Sequence, residues 1–269
     1  SEYFEEESAP SVFAKLSRPF LDAFLDRKVL RICGLLGGNV PGRVLDYGAG
    51  SGALVSALQK RGIDAVGYDP SPGAVAVAGR AGIPVNDVLP PGPFDLVMFW
   101  HSLEHVDDPL AVIRRVRPLL NPGGRLLIAV PNAASWEAAI AGERWFHYDY
   151  PFHRVHFTPQ AIEALLTRAG FHIVALDFFN PEYTVSGLVQ TFLNFFLPKN
   201  ALYYIVSHRR GASSRVGAVG MAAASIAMTV ASLPVLAPFY LAELMSGRTG
   251  AMVVVASYED EHPLPDMSA

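Results

Sequence analysis

Four histidines fall in two close pairs, His101 with His105 and His153 with His156. Imidazole titrates near neutrality, so each is a candidate general base, able to take a proton from a hydroxyl or an amine. Two aspartates lie upstream. Asp46 sits at the end of Val44-Leu45-Asp46-Tyr47, just ahead of Gly48-Ala49-Gly50-Ser51-Gly52, and Asp69 follows Asp64-Ala65-Val66-Gly67-Tyr68. Glycines there permit positive φ and let a ligand approach the backbone closely. The helix that begins at Ala53 offers free N–H groups and a partial positive charge to an anionic group. A carboxylate 21 residues after Gly48 can accept hydrogen bonds from both hydroxyls of a ribose. Together these features point to an adenosine-containing ligand. The glycine spacing, with alanine at 53, leaves a dinucleotide open. Asp46 argues against one, because an acid beside a pyrophosphate is repulsive, whereas it suits a ligand carrying an ammonium and a sulfonium.

The elements that must position these groups alternate. Strands are expected at 43–47, 64–68, 83–88, 94–100, 125–130 and 171–179, with a late one at 251–256. Helices are expected at 53–61, after Ser71-Pro72, from Asp107-Asp108-Pro109 to Leu120, and from Thr158-Pro159 to Gly170. A hydroxyl or carboxylate cap followed by proline favours a helix start. Asn121-Pro122-Gly123-Gly124 reads as a turn. Strands separated by helices call for an α/β fold, a parallel sheet with helices on both faces. Upstream, Phe13, Leu16, Phe20, Phe24, Leu25, Val29 and Ile32 recur at helical spacing, with Pro19 marking a break or second start. Of the 269 residues 51% are hydrophobic and 17% charged, with net charge −4 and mean hydropathy +0.27. That excludes disorder, and the chain lacks a basic footprint for nucleic acid. Cys33 is the single cysteine, so no internal disulfide or Cys-paired zinc site can form; a small apolar residue buried in a helix is expected.

Five ordered blocks carry a family resemblance: Val44–Gly52, Gly67–Ser71, Phe94–Val106, Leu120–Leu126, and His153–Thr158 followed by Ala169-Gly170-Phe171. The sequence resembles the class I S-adenosylmethionine-dependent methyltransferases, most of all the branch with ubiquinone-type O-methyltransferases, over residues 40–181 and the late strand. The resemblance implies a Rossmann-like seven-stranded sheet with its last strand antiparallel. It implies S-adenosylmethionine as cofactor, with Asp46, Tyr47, Gly48, Ala49 and Gly50 around the methionine part and Asp69 and Pro70 at the ribose. Asn86 and Asp87 would face the adenine, and Trp100 and His101 the far side of the cofactor. His101, His105, His153 and His156 remain the candidate bases, and the aromatic run Trp145–Phe152 would cover the acceptor. No metal is expected, since no acid–histidine set has convincing ligand spacing and the reaction needs none.

The expected organisation is an N-terminal helical cap (1–40), the cofactor-binding core (41–181), a hydrophobic helical insertion (182–250), the final strand (251–258) and a polar tail (259–269). Val216–Ala242 holds 27 residues without an Asp, Glu, Lys, Arg or His, and Val185–Val206 has Lys199 as its only charge. Pro198, Pro234 and Pro238 should interrupt both. The strand at 251 must rejoin the sheet, so a single membrane crossing is excluded. Helices lying in one leaflet through 185–247 fit better, with a subdomain buried against the core or in a homodimer as the rival. The expected activity is methylation, chiefly of oxygen, on a small-molecule or lipid-linked acceptor, in the cytoplasm or at the cytoplasmic face of a membrane. The alternatives are a non-catalytic membrane-associated binding protein with the same fold, and a nicotinamide-dependent oxidoreductase.

Overall fold

The computed structural model describes residues 12–206 and 215–258; the acidic N-terminus, the basic segment 207–214 and the polar tail lie outside the described residues. Seven strands form one sheet in the order β3-β2-β1-β4-β5-β7-β6. They are β1 (Arg43–Tyr47), β2 (Asp64–Tyr68), β3 (Val85–Asn86), β4 (Phe94–Trp100), β5 (Leu120–Pro131), β6 (His172–Asp177) and β7 (Ala251–Ser257). β1 pairs in parallel with both β2 and β4, whereas β7 runs antiparallel between β5 and β6. The strand order therefore reverses at β1, and the cleft beyond its carboxyl end is where ligands of such sheets bind.

Among the described residues nine α-helices surround the sheet: α1 (Val12–Leu35), α2 (Ala53–Lys60), α3 (Pro72–Arg80), α4 (Pro109–Val116), α5 (Trp136–Ala141), α6 (Pro159–Arg168), α7 (Pro181–Leu193), α8 (Ala201–Val206) and α9 (Arg215–Ser246). Two hydrophobic clusters line the two faces. One joins Leu45, Phe99, Ile128 and Val254 to Ile162 and Leu166 of α6; the other joins Val44, Met98, Leu127 and Val253 to Leu58 of α2 and Ile32 of α1. Apolar residues thus alternate sides along each central strand, as burial on both faces requires.

Several expectations are corrected. α1 runs through Pro19 without a break. One lost rung is tolerated because the helix is tied to α2 by packing and by the ion pairs Lys60–Asp22 and Arg61–Asp26. Pro234 and Pro238 likewise lie inside a continuous α9, along which α7 and α8 pack. β3 is two residues long rather than six; Pro84, Pro90 and Pro91 lack the donors a longer ladder needs. The Asn121–Gly124 turn is an irregularity within β5, where pairing jumps from Phe94↔Leu120 to Leu96↔Arg125. β6 stops at Asp177, whose carboxylate accepts from Phe179 N (2.8 Å) and ends the ladder. Cys33 is half-buried at the edge of the α1 packing rather than enclosed.

Candidate active site

The backbone turns sharply after β1. Gly48 and Gly50 take positive φ (80° and 56°), and the N–H groups of Gly48 and Ala49 both donate to Tyr68 O at the end of β2. A Cβ at Gly48 would collide with Ser102, so glycine is required there by packing as well as by conformation. Asp69 braces the same turn: one carboxylate oxygen accepts from Gly50 N (2.8 Å) and the other from Ser71 N (2.9 Å). Each oxygen keeps a further lone pair for a ribose hydroxyl. Asp46 is buried beside it. Burial pushes its carboxyl up to about 7, the charge of Lys28 pulls it down and the field of Asp69 adds to the rise.

Lys28, which the sequence did not mark, acts on Asp46 through its charge. It is buried, and its ammonium lies over the rings of Trp100 (4.9 Å), Phe24 (5.1 Å) and Tyr183 (5.7 Å). An acid, a cation and three aromatic faces thus come from β1, α1, β4 and α7. The missed signal was a charged residue on the core face of α1, next to Val29 and Ile32 in the apolar pattern. The set fits a ligand that carries both an ammonium and a carboxylate, with Asp46 for the first and Lys28 for the second. Aromatic faces suit a sulfonium as well.

The other expected cofactor contacts are placed as follows. The Tyr47 ring is core, packed on Tyr68 and Phe99 with centroids at 4.7 Å from each, so only its backbone borders the cleft. Its carbonyl accepts from Ser102 Oγ. Pro70, Asn86 and Asp87 are exposed at the rim, with Asn86 O accepting from Asp69 N (2.9 Å). Trp100 is buried, and its indole Nε1 has no hydrogen-bond partner.

Beyond Trp100 a cavity of about 650 Å³ opens. One wall carries His101, Glu104, His105, His147 and His153; the facing wall belongs to the insertion, through Tyr183, Val185, Val189, Gln190, Leu202 and Tyr203. Three expected histidines therefore share one cavity. His156 lies behind it, stacked on Tyr148 (5.1 Å) and near Trp145 (6.2 Å). From the aromatic run, Phe146, His147 and Asp149 reach the cavity, and Trp145 is buried with its Nε1 donating to Glu137 (3.0 Å).

His101 stands out by its backbone: φ is +53°, costly for a residue with a Cβ and common at functional sites. Its ring stacks on Tyr183 (3.4 Å, 23°), and its Nδ1 lies 3.3 Å from Glu104 Oε1. Burial alone would push Glu104 up, but the hydrogen bond to His101 and the fields of His101, His153 and His105 hold it below the usual carboxylate range. Burial pushes His153 below its ordinary value, the field of Glu104 opposing; burial pushes His147 well down, with His101 and His153 adding. Both are therefore neutral near pH 7. Glu104, His105 and His153 each bring one donor atom within 4.8 Å of the others, the histidine–acid set that could take a divalent cation. Its members come from 104–105 and from 153, a juxtaposition the linear spacing conceals.

Comparison with known proteins follows the same lines. The family model described as Methyltransferase domain matches residues 18–176, more than half of the chain. A ubiquinone biosynthesis O-methyltransferase of Xylella fastidiosa is 31% identical over 150 residues, covering 49% of this chain and 61% of that protein. One from Azorhizobium caulinodans is 32% identical over 178 residues, covering 58% of this chain and 70% of that protein. The chain thus spans about 61% of the length of the first such relatives. Among solved structures, a SAM-dependent methyltransferase from Archaeoglobus fulgidus matches with TM-score 0.53 at 17% identity, over 91% of this chain and 99% of that one. The [4+2]-cyclase SpnF matches with TM-score 0.54 at 19% identity, over 95% and 86%. Such likenesses show the fold alone, and the second shows that the fold also hosts other chemistry. On the matched domain and the 70% coverage of the second relative, the chain belongs to the class I S-adenosylmethionine-dependent methyltransferases.

Proposed function

We propose that this chain transfers a methyl group from S-adenosylmethionine to an oxygen of a small or lipid-linked acceptor. The observation that carries the reading is the buried Asp46–Lys28 pair at the glycine turn, opening past Trp100 onto a histidine-lined cavity. That the relatives are ubiquinone biosynthesis O-methyltransferases supports oxygen as the acceptor atom.

When bound, S-adenosylmethionine supplies a methyl on a positively charged sulfur, open to in-line displacement. Asp46 would hold the ammonium, Lys28 the carboxylate and Asp69 the ribose, while Gly48, Ala49 and Gly50 would give backbone room. Trp100 and Tyr183 would line the methyl-transfer path and exclude water from it. His101 takes the acceptor hydroxyl proton. Glu104 fixes its tautomer by accepting from Nδ1–H, which leaves Nε2 as the base. His105 and His153 have their Nδ1 atoms bonded to Phe152 O (3.0 Å) and His147 O (2.7 Å), so their Nε2 atoms serve as acceptors for the substrate's other polar groups. Val185, Val189 and Leu202 take the apolar body of the acceptor.

Incubation with methyl-labelled S-adenosylmethionine and phenolic acceptors, with and without a polyprenyl chain, tests the reading. Labelled methyl ether is expected, and its formation should fail in His101→Ala. Cofactor uptake with no transfer to any acceptor, soluble or lipid, would contradict it and favour a non-catalytic binding protein.

A further inference from the structure

We propose that α9 lays its outer face in one leaflet of a lipid bilayer. The stretch Ala224–Ser246 is long and apolar enough to cross a membrane, with mean hydropathy 1.6, yet only 17% of its most apolar window is buried in the protein. A core helix of a soluble protein is mostly buried, so packing against the sheet does not explain this composition. Ile226, Val230, Leu233, Val235, Leu241 and Met245 are all exposed, Met245 at 89%.

The polar groups of the helix avoid that face. Thr229 Oγ1 donates to Ser225 O (2.7 Å), Ser232 Oγ to Thr229 O (2.8 Å) and Ser246 Oγ to Glu243 O (2.9 Å). Glu243 is the only Asp, Glu, Lys, Arg or His of Ala224–Ser246. It is fully buried and accepts from Glu137 N (2.9 Å) on α5. Hydroxyls returned to their own helix carbonyls and a hidden carboxyl are what an apolar solvent demands. Along the sequence Arg215 precedes the stretch and Arg248 follows it, residue types that suit lipid phosphate beside an interfacial helix.

Topology fixes how the helix lies. α7 leaves the sheet after β6, and α9 returns into β7 between β5 and β6. α7 and α8 both pack against α9, and Phe239 meets Trp136 of α5 (6.3 Å). α9 is therefore tied to the body through α5, α7 and α8 and leads back into β7, so it lies against the protein on one side and leaves its outer face to lipid. A second copy of the chain suits the face less well: interface anchors are enriched in Trp, Tyr and Arg, and five of the six exposed residues named here are aliphatic. Docking in this way brings a bilayer to the insertion that walls the acceptor cavity.

This inference goes beyond methyl transfer and is tested without it. The full chain is mixed with phosphatidylcholine vesicles, with and without phosphatidylglycerol, and floated on a density gradient. The double variant Val230→Glu/Leu233→Glu is run beside it, and both proteins are checked for uptake of labelled S-adenosylmethionine. The wild type should float, more strongly with the anionic lipid, and replacing two exposed aliphatic side chains that would enter lipid should weaken vesicle binding about a hundredfold. Equal cofactor uptake would show that the variant is folded; if neither takes up cofactor, near-UV circular dichroism makes that check. The proposal is overturned if the wild type stays at the bottom of the gradient, if the variant floats equally well, or if the wild type sediments as a dimer that the substitutions dissociate.

Discussion

Asp46→Asn probes the cofactor cleft most deeply. Burial holds the Asp46 carboxyl at about 7 against an ordinary 3.8, a difference of ~4 kcal/mol between its charged and neutral forms. The sign follows from proton counting. Between pH 3.8 and about 7 the folded chain binds a proton that the unfolded chain has lost, so stability falls as pH rises through that window. A bound ammonium reverses the preference, because it needs the carboxylate. Cofactor binding should therefore release a proton below pH 7, and affinity should weaken about tenfold from pH 8 to pH 6. In Asp46→Asn the charge contact is gone. Affinity at pH 8 should fall ~30-fold, for a charge-assisted hydrogen bond of about 2 kcal/mol, and should no longer vary with pH. The variant should also resist denaturant better than the wild type at pH 8, having no buried charge to desolvate. Isothermal titration in two buffers of different ionisation enthalpy counts the protons directly. A wild-type affinity flat across pH 6–8, or an Asn variant with the same pH dependence, would refute the reasoning.

Other outcomes follow from the same geometry. Glu104→Gln should lower kcat about a hundredfold with KM little changed, since it mis-sets the His101 tautomer without removing acceptor contacts; steady-state kinetics separates the two. Burial pushes Glu137 up to about 8, with the Glu243 field adding, and Glu243 up to about 7. Folded pKa values above the unfolded 4.5 mean that stability is fullest near and below pH 4.5 as far as this pair is concerned, and is lost as pH rises through about 7–8. Thermal melts should show Tm dropping over that range and the drop shrinking in Glu243→Gln. Trp145→Phe, which leaves the Glu137 carboxyl without its indole donor, should cost about 1–3 kcal/mol in urea denaturation.

Much of the fold was legible because the signals were local. The runs at 43–47, 64–68 and 94–100 became strands at the expected bounds, and Thr158-Pro159 caps α6 as its residue types predict, with Thr158 Oγ1 accepting from Ala161 N (3.1 Å). Where tertiary packing decides, the sequence misleads. Prolines 19, 234 and 238 read as breaks but lie inside helices, and α5 was invisible because its six residues are held by the buried Trp145–Glu137 contact and by Glu243. The same holds for the site. Asp46, the glycine turn and Asp69 announce themselves by position at strand ends, and His101, His105 and His153 by type. Lys28 and the insertion wall at Tyr183, Val189 and Gln190 do not, since nothing in their neighbourhood along the chain marks them as facing the cleft. Their role arises only when α1 and α7 fold over the end of β4.

Equilibrium dialysis with labelled S-adenosylmethionine, alongside the reduced nicotinamide cofactors, tests the central claim most directly. One molecule of S-adenosylmethionine per chain, displaced by S-adenosylhomocysteine, is expected, with no uptake of the nicotinamides. A folded chain that takes up no S-adenosylmethionine, or that binds a nicotinamide cofactor in its place, would contradict it.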